Sequence, residues 1–221
     1  IDVGARGWYT TDADWTMTEH TAAAFVNYTG PYQTQLQFNL PRDVVVYQGE
    51  RYEYLRPNVY VGIKPSGRSA LSIFGRFGDG VDYANSRKAH GVIQVSPAIE
   101  YRPATRVSLQ LSYTLDQLSV DGGRLYQANL AQLKAVYHLN VRTFVRAILQ
   151  YTDIVRDAGL YLYPVAPRTR RFFSQYLFSF KFNPQTVIFA GYSDNAAAMR
   201  GNDLQQQNRT FFVKLGYAWA F

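Results

Sequence analysis

An alternation with a period of two runs through almost the whole chain, and it constrains the fold more than any other feature. Between Gln33 and Leu40 the even positions are Thr34, Leu36, Phe38 and Leu40, while the odd ones are Gln33, Gln35, Gln37 and Asn39. From Val107 to Asp116 the odd positions are Val107, Leu109, Leu111, Tyr113 and Leu115, and Ser, Gln, Thr and Asp fill the even ones. From Val141 to Tyr151 the odd face is apolar apart from Thr143, and the other face holds Arg142, Arg146 and Gln150. From Phe211 to Phe221 the odd face reads Phe, Val, Leu, Tyr, Trp, Phe. Successive side chains of a strand point to opposite sides of a sheet, so each segment has one apolar face and one polar or small one. No segment carries a sustained stripe at helical spacing.

Twelve such segments can be placed, at about 1–9, 20–28, 32–40, 55–64, 68–77, 89–101, 105–116, 125–138, 141–153, 171–182, 185–193 and 209–221. The connections between them alternate in length. Short ones hold Thr29-Gly30-Pro31, Pro65-Ser66-Gly67, Pro103-Ala104, Leu139-Asn140 and Asn183-Pro184. Long ones cover 10–19, 41–54, 78–88, 117–124, 154–170 and 194–208. A sandwich with Greek-key connections has no reason for that rhythm, whereas an up-and-down transmembrane barrel has short turns at one end and long loops at the other. Strands of about ten residues also suit a tilted membrane crossing. The expected fold is therefore all-β, an antiparallel up-and-down transmembrane barrel of about twelve strands, in one domain over residues 1–221.

Composition agrees. Of 221 residues, 18 are Tyr, 14 Phe and none Cys. So many aromatic residues are foreign to a disordered chain, and the lack of Cys excludes a disulfide scaffold, a thiolate zinc site and a cysteine nucleophile. No apolar run approaches the length of a membrane-spanning helix. The net charge of +7 comes from scattered Arg and Lys, with no basic run longer than two, at Arg87-Lys88 and Arg170-Arg171. That is not the clustered footprint of a nucleic-acid protein. Apart from Asp2, Glu100 and Asp116, the carboxylates are expected in or beside the long loops, because a carboxylate facing lipid is costly.

Tyr217, Trp219 and Phe221 alternate up to the last residue. This ladder resembles the C-terminal signal of bacterial outer-membrane barrels, which implies the barrel-assembly machinery as a partner during biogenesis. A second resemblance rests on Phe182-Asn183-Pro184-Gln185-Thr186-Val187, on Gly191-Tyr192-Ser193-Asp194-Asn195, and on the stretch from Asn208 to Trp219. These segments look like a family of outer-membrane proteins that join an N-terminal module similar to carbohydrate-binding family nine to a C-terminal barrel of unknown function. The resemblance implies an outer-membrane barrel and supplies no reaction or catalytic residue. This sequence lacks the sugar-binding module, which leaves two readings open: a mature barrel of about twelve strands, or the C-terminal part of a larger barrel in which Ile1 is not the true start.

The inward face is expected to carry Lys64, Arg76, Gln110, Asp116, Lys134, Arg142, Arg146, Lys181 and Lys214, with Glu100 and many Gln between them. Arg142 and Arg146 would share one face about 13 Å apart, with Lys134 near them across the turn. Two readings stand: a net-positive lumen open to anions, or a lumen plugged by its own side chains. Arg168, Arg170 and Arg171, beside Tyr161 and Tyr163, are expected to contact lipid phosphate such as that of lipopolysaccharide. Asp12-Ala13-Asp14 and Asp79-Gly80-Val81-Asp82 are read as turns, since neither has the spacing of a calcium loop. Ser86, His90 and a nearby Asp are the one grouping suggestive of a hydrolase, with nothing in the sequence to fix their geometry. No metal, cofactor or catalytic residue is assigned, and the expectation is that the protein is not an enzyme.

The sequence thus points to a bacterial outer-membrane barrel that passes or binds a polar, anionic solute. The alternative is a plugged barrel anchoring a larger assembly, and the third reading is a rim hydrolase. Both termini are expected in the periplasm and the long loops outside.

Overall fold

The computed structural model describes residues 1–198 and 203–218. Thirteen antiparallel strands form one sheet: β1 (Asp2–Thr11), β2 (Met17–Gly30), β3 (Thr34–Tyr47), β4 (Glu50–Leu55), β5 (Asn58–Ser66), β6 (Ser69–Asp82), β7 (Arg87–Ala104), β8 (Val107–Val120), β9 (Gly123–His138), β10 (Thr143–Arg156), β11 (Arg168–Asn183), β12 (Thr186–Ala198) and β13 (Gln205–Tyr217). Each pairs with its neighbours in chain order, except that β4 lies off the main path and pairs with β3 alone. The two edges, β1 and β13, share no pairing among the described residues.

The twelve expected strands are all present, and the thirteenth is a broken one. β4 pairs with β3 from Arg42 to Tyr47, and β5 pairs with β3 from Gln35 to Asn39, so β4 and β5 run in line along a single neighbour. The break falls at Arg56-Pro57, where proline has no N–H to give the ladder. The neighbouring chains take up the loose groups. Arg56 N–H donates to Pro41 O, and the Pro57 carbonyl accepts from Phe77 N–H. Beside the break, Gly78 sits at φ +119°, with the Leu55 carbonyl oxygen 2.3 Å from where a Cβ would be. The β6–β7 ladder shifts register at the same place, between Gly78 and Gly80.

Register defines two faces. Leu111 pairs with Leu133 and with Ile99, and Ile99 pairs with Leu71. Val145, Phe178, Ala190 and Val213 continue the same face through β10 to β13. This apolar belt lies open, with Leu111 at 51% and Phe178 at 42% exposure. A band of that size suits a hydrocarbon surround rather than water. On β10 and β11 the belt ends at Tyr151 and Phe172, which face each other; the next outward pair is Asp153 and Arg170.

The polar face is the inner one, and contacts reach across it. The Arg87 guanidinium of β7 donates to Leu160 O at 2.6 Å, although Leu160 follows β10, three strands further on. The sheet therefore curls toward its polar side.

The long-loop end departs from expectation. Much of what the sequence suggested as loop is strand that projects past the belt. Residues 41–54 form a β hairpin, and the supposed loop at 117–124 is a tight turn between Val120 and Gly123. Carboxylates do occur on the outer face: Glu53, Asp153 and Asp194 are each tied to an arginine, Arg42, Arg168 and Arg209 respectively. Two small apolar clusters close this end. One joins Tyr52, Tyr54 and Val81; the other joins Ala89, Leu118, Val120 and Leu125, with Leu160 and Tyr161 laid against it.

Candidate functional site

The inner face of β9 to β13 is built from alternate positions whose register is continuous. Gln110 pairs with Lys134 on one side and Glu100 on the other. Lys134 pairs with Ile148, which shares its face with Arg146, Gln150 and Arg156. Across the next ladder Arg146 meets Leu177, Ile148 meets Gln175 and Thr152 meets Arg171. Lys181 pairs with Val187, and Lys214 with Phe189, on the same inner side. Five strands thus turn Lys134, Arg146, Arg156, Arg171, Lys181 and Lys214 inward. Their sequences hold two carboxylates, Asp153 and Asp194, and both point outward. Among the described residues, the inner carboxylates belong to the other half of the sheet: Asp43, Glu100 and Asp116 lie there.

Most of the residues expected to line the interior occupy the inner face. Arg76 pairs with Asn58 and lies over the Phe74 ring, 5.4 Å from its centroid. Asp116 accepts from Tyr126 OH at 3.3 Å. Lys64, Glu100 and Gln110 line a cavity of about 310 Å³ toward the short-turn end. Arg146 donates to Gln175 Oε1 at 3.3 Å, and its Nε is buried with no hydrogen-bond partner among the described residues.

Arg142 requires correction. The alternation read from Val141 runs into the turn, because β10 starts at Thr143. Arg142 N–H donates to Asn140 Oδ1 at 2.8 Å, and its carbonyl accepts from Lys181 N–H at 2.8 Å. An Asn side chain bonded two residues on makes a tight turn, and the neighbouring Val141 is 99% exposed. The expected pairing of Arg142 with Arg146 on one strand does not form.

The three arginines expected at lipid phosphate are likewise split. Arg168 and Arg170 point outward, just beyond the belt. Arg171, one residue on, points inward opposite Thr152. Adjacent strand residues cannot share a face, and β11 begins early enough, at Arg168, to impose that rule. Arg168 clamps Asp153 with hydrogen bonds of 2.9 and 2.6 Å. That bond holds the Asp153 carboxyl below the ordinary range, against the opposing effect of burial. Asp153 lies above Tyr151, outside the membrane-spanning part of β10.

The long-loop end is braced around Asp82, which is 1% exposed. Its carboxylate accepts from Asn85 Nδ2 at 2.6 Å, Arg87 Nε at 3.0 Å and Ala84 N–H at 3.2 Å. Asn85 Oδ1 in turn accepts from Leu162 N–H at 2.9 Å. Tyr52 OH donates to Ser86 O at 2.6 Å. Three loops are thereby held together, a link no sequence spacing announces. Asp12-Ala13-Asp14 forms the expected turn, with Asp12 accepting from Asp14 N–H and Thr16 N–H, whereas Asp79-Gly80-Val81-Asp82 is the end of strand β6, the turn following at 83–86, and Asp82 is occupied as above. Ser86 Oγ bonds Gln48, while His90 lies 3.5 Å from Asp121. Tyr217 pairs with Thr186 at the end of β13; Trp219 and Phe221 lie outside the described residues.

A feature missed in the sequence lies beneath the loop that follows β10. A cavity of about 700 Å³ is lined there by Arg156, Arg171, Tyr161, Tyr163, Thr152 and Thr169, among others. Arg156 Nη1 donates to Thr169 Oγ1 at 3.0 Å and toward Ala166 O at 3.4 Å. Burial raises the Tyr161 phenol above its ordinary range, and Arg156 opposes that rise.

No known family's sequence profile matches the chain, and no curated protein matches it either. Solved structures do. A loop L8 deletion form of OmpT, an outer membrane protein of Vibrio cholerae, is similar at TM-score 0.55 and 14% identity, over 94% of this chain and 65% of that one. A trimer-form structure of the Vibrio cholerae OmpT is similar at TM-score 0.51 and 12% identity, over 97% of this chain and 96% of that one. The chain spans 65% of the length of the first of these. The likenesses support the barrel implied by the family resemblance and say nothing of a sugar-binding module. With strands joined in chain order, an apolar outer belt and a polar inner face, the fold is the antiparallel up-and-down barrel of bacterial outer-membrane proteins.

Proposed function

We propose that this protein resides in the bacterial outer membrane, with its long-loop end outside, and admits a small anionic solute along its inner face. One observation carries the reading. Among the described residues, the inner wall of β9 to β13 presents six cations and no carboxylate. In a narrow, low-dielectric channel, cations of one sign raise the local concentration of anions. Arg168 and Arg170 stand just past the apolar belt, at the height of lipid phosphate, and lipopolysaccharide is their proposed contact. The barrel-assembly machinery is the proposed partner in biogenesis.

The test is a planar bilayer. A salt gradient across the inserted protein should give a reversal potential of the sign for anion preference. Replacing Lys134 and Arg146 together with Gln keeps length and polarity, and should move that potential toward cation preference. Unchanged selectivity would remove the cationic wall as its cause. The braced loops around Asp82 favour the second reading, a plugged barrel anchoring an assembly, and a steady absence of current would select it.

A further inference from the structure

We infer that the cavity beneath the β10–β11 loop is a binding site for a small polyhydroxylated anion, of the sugar-acid or sugar-phosphate class. The inference rests on the anionic reading of the inner face and adds to it a location and a ligand chemistry.

The two arginines supply the anion recognition. Arg171 is exposed on the inner face and makes no hydrogen bond or ion pair among the described residues. Arg156 is part-buried and fixed through Nη1 by Thr169 and the Ala166 carbonyl. A guanidinium has five N–H donors in a rigid fork, so Nη2 of Arg156 keeps donors to offer, and its orientation is already set. A prearranged fork beside a free one matches a carboxylate or a phosphate, each of which accepts in pairs. No carboxylate lines the cavity to neutralise them.

The rest of the lining suits a hydroxylated body rather than a bare ion. Thr152 and Thr169 carry hydroxyls that both donate and accept, and Gln150 and Asn195 add amides. Tyr161 and Tyr163 stand edge to face, 5.9 Å between ring centres, and close the loop side with aromatic surface. The raised Tyr161 phenol stays protonated as a donor. A volume of about 700 Å³ is that of a ligand pocket rather than an ion site. Its walls are inner-face residues of β10, β11 and β12, so the ligand comes from the lumen and not from the lipid headgroups.

The experiment is calorimetric binding to the full chain, refolded in detergent, with gluconate, glucose 1-phosphate, glucose and inorganic phosphate as probes. The expected result is binding of both sugar anions, at least tenfold weaker binding of glucose, and at least tenfold weaker binding of inorganic phosphate. Arg171→Gln should weaken the sugar anions at least tenfold, and Thr152→Phe, which fills the cavity from the opposite strand, should do the same. Arg106→Gln, in the short turn between β7 and β8 at the other end of the sheet, should leave binding unchanged. Folding of each variant is checked by its heat-induced shift on a gel. Equal binding of glucose and gluconate, or affinities indifferent to both Arg171→Gln and Thr152→Phe, would overturn the assignment. Inorganic phosphate bound as tightly as glucose 1-phosphate would overturn it too, leaving an anion site only. Binding without conductance would retain this site and remove passage; conductance with Arg171-independent binding would do the reverse.

Discussion

Asp153 and Arg168 are clamped by two hydrogen bonds on the outer wall, one outward position beyond Tyr151, where the apolar belt ends. The pair marks the height at which the outer surface changes from lipid-facing to water-facing. The same relation recurs at Asp194 and Arg209, 3.2 Å apart. Each outward carboxylate on β9 to β13 is thus matched by a cation, while the inner wall keeps its cations without acids.

The clamp has a pH signature. The folded Asp153 carboxyl lies below its unfolded value, chiefly through the Arg168 hydrogen bond. Its contribution to stability is therefore present above the ordinary aspartate range, near pH 4, and is lost as pH falls through the lower folded value. Asp153→Asn should lower stability modestly at neutral pH and flatten the acid limb, so that the variant and parent curves converge below about pH 4. An unchanged acid limb would show that the bond does not persist in solution.

The two faces can be told apart by a pair of substitutions on neighbouring residues. Leu111→Arg places a charge in the middle of the belt and should cost about 2–4 kcal/mol in a lipid-refolding titration. Gln110→Arg points inward beside Glu100 and should be much milder. Equal losses would mean that the faces are reversed.

Orientation is open to labelling in intact cells. Ser66 lies at a short turn, and Asp121, with 94% of its side chain exposed, lies at the tip of the β8–β9 turn. A cysteine at Asp121 should react with an impermeant thiol reagent, and one at Ser66 should not. The opposite pattern would invert the topology.

The loop brace predicts a local change in dynamics. Asp82 orients Asn85, and Asn85 accepts the Leu162 amide. Asp82→Ala should weaken this end by about 1–3 kcal/mol, the usual cost of orphaning buried partners. It should also speed hydrogen exchange at Leu162 while leaving Leu133 in the belt unaffected. Exchange at Leu162 equal to that of the parent would show that the loop is held by its apolar contacts alone.

The proposed partnership with the barrel-assembly machinery makes the terminal ladder a test of assembly. Replacing Trp219 and Phe221 with Ser should lower the amount reaching the outer membrane, measured by fractionation, with little change in the strands already described. Normal levels would remove these residues from the signal.

The sequence by itself determined the sheet and its two faces. A period of two leaves a strand no choice about which side each residue takes, so Leu111 and Gln110, or Lys134 and Ala135, are separated once the strand exists. Chain order also fixes pairing, because short turns join only adjacent antiparallel strands. Strand ends were less legible. Beyond the belt the alternation loses its apolar partner, which hid the β3–β4 hairpin and the reach of β11 down to Arg168. One residue of error at a strand's start decides whether an arginine stands on a wall or in a turn, as Arg142 illustrates. Tertiary structure alone decided what meets across the interior. Asn85 and Leu162, or Arg87 and Leu160, are brought together by the curl of the sheet and the inward fold of a loop, and neither follows from local spacing. The cavity around Arg171 belongs to that second class, because it exists only where the loop between β10 and β11 folds back over the inner face of three strands.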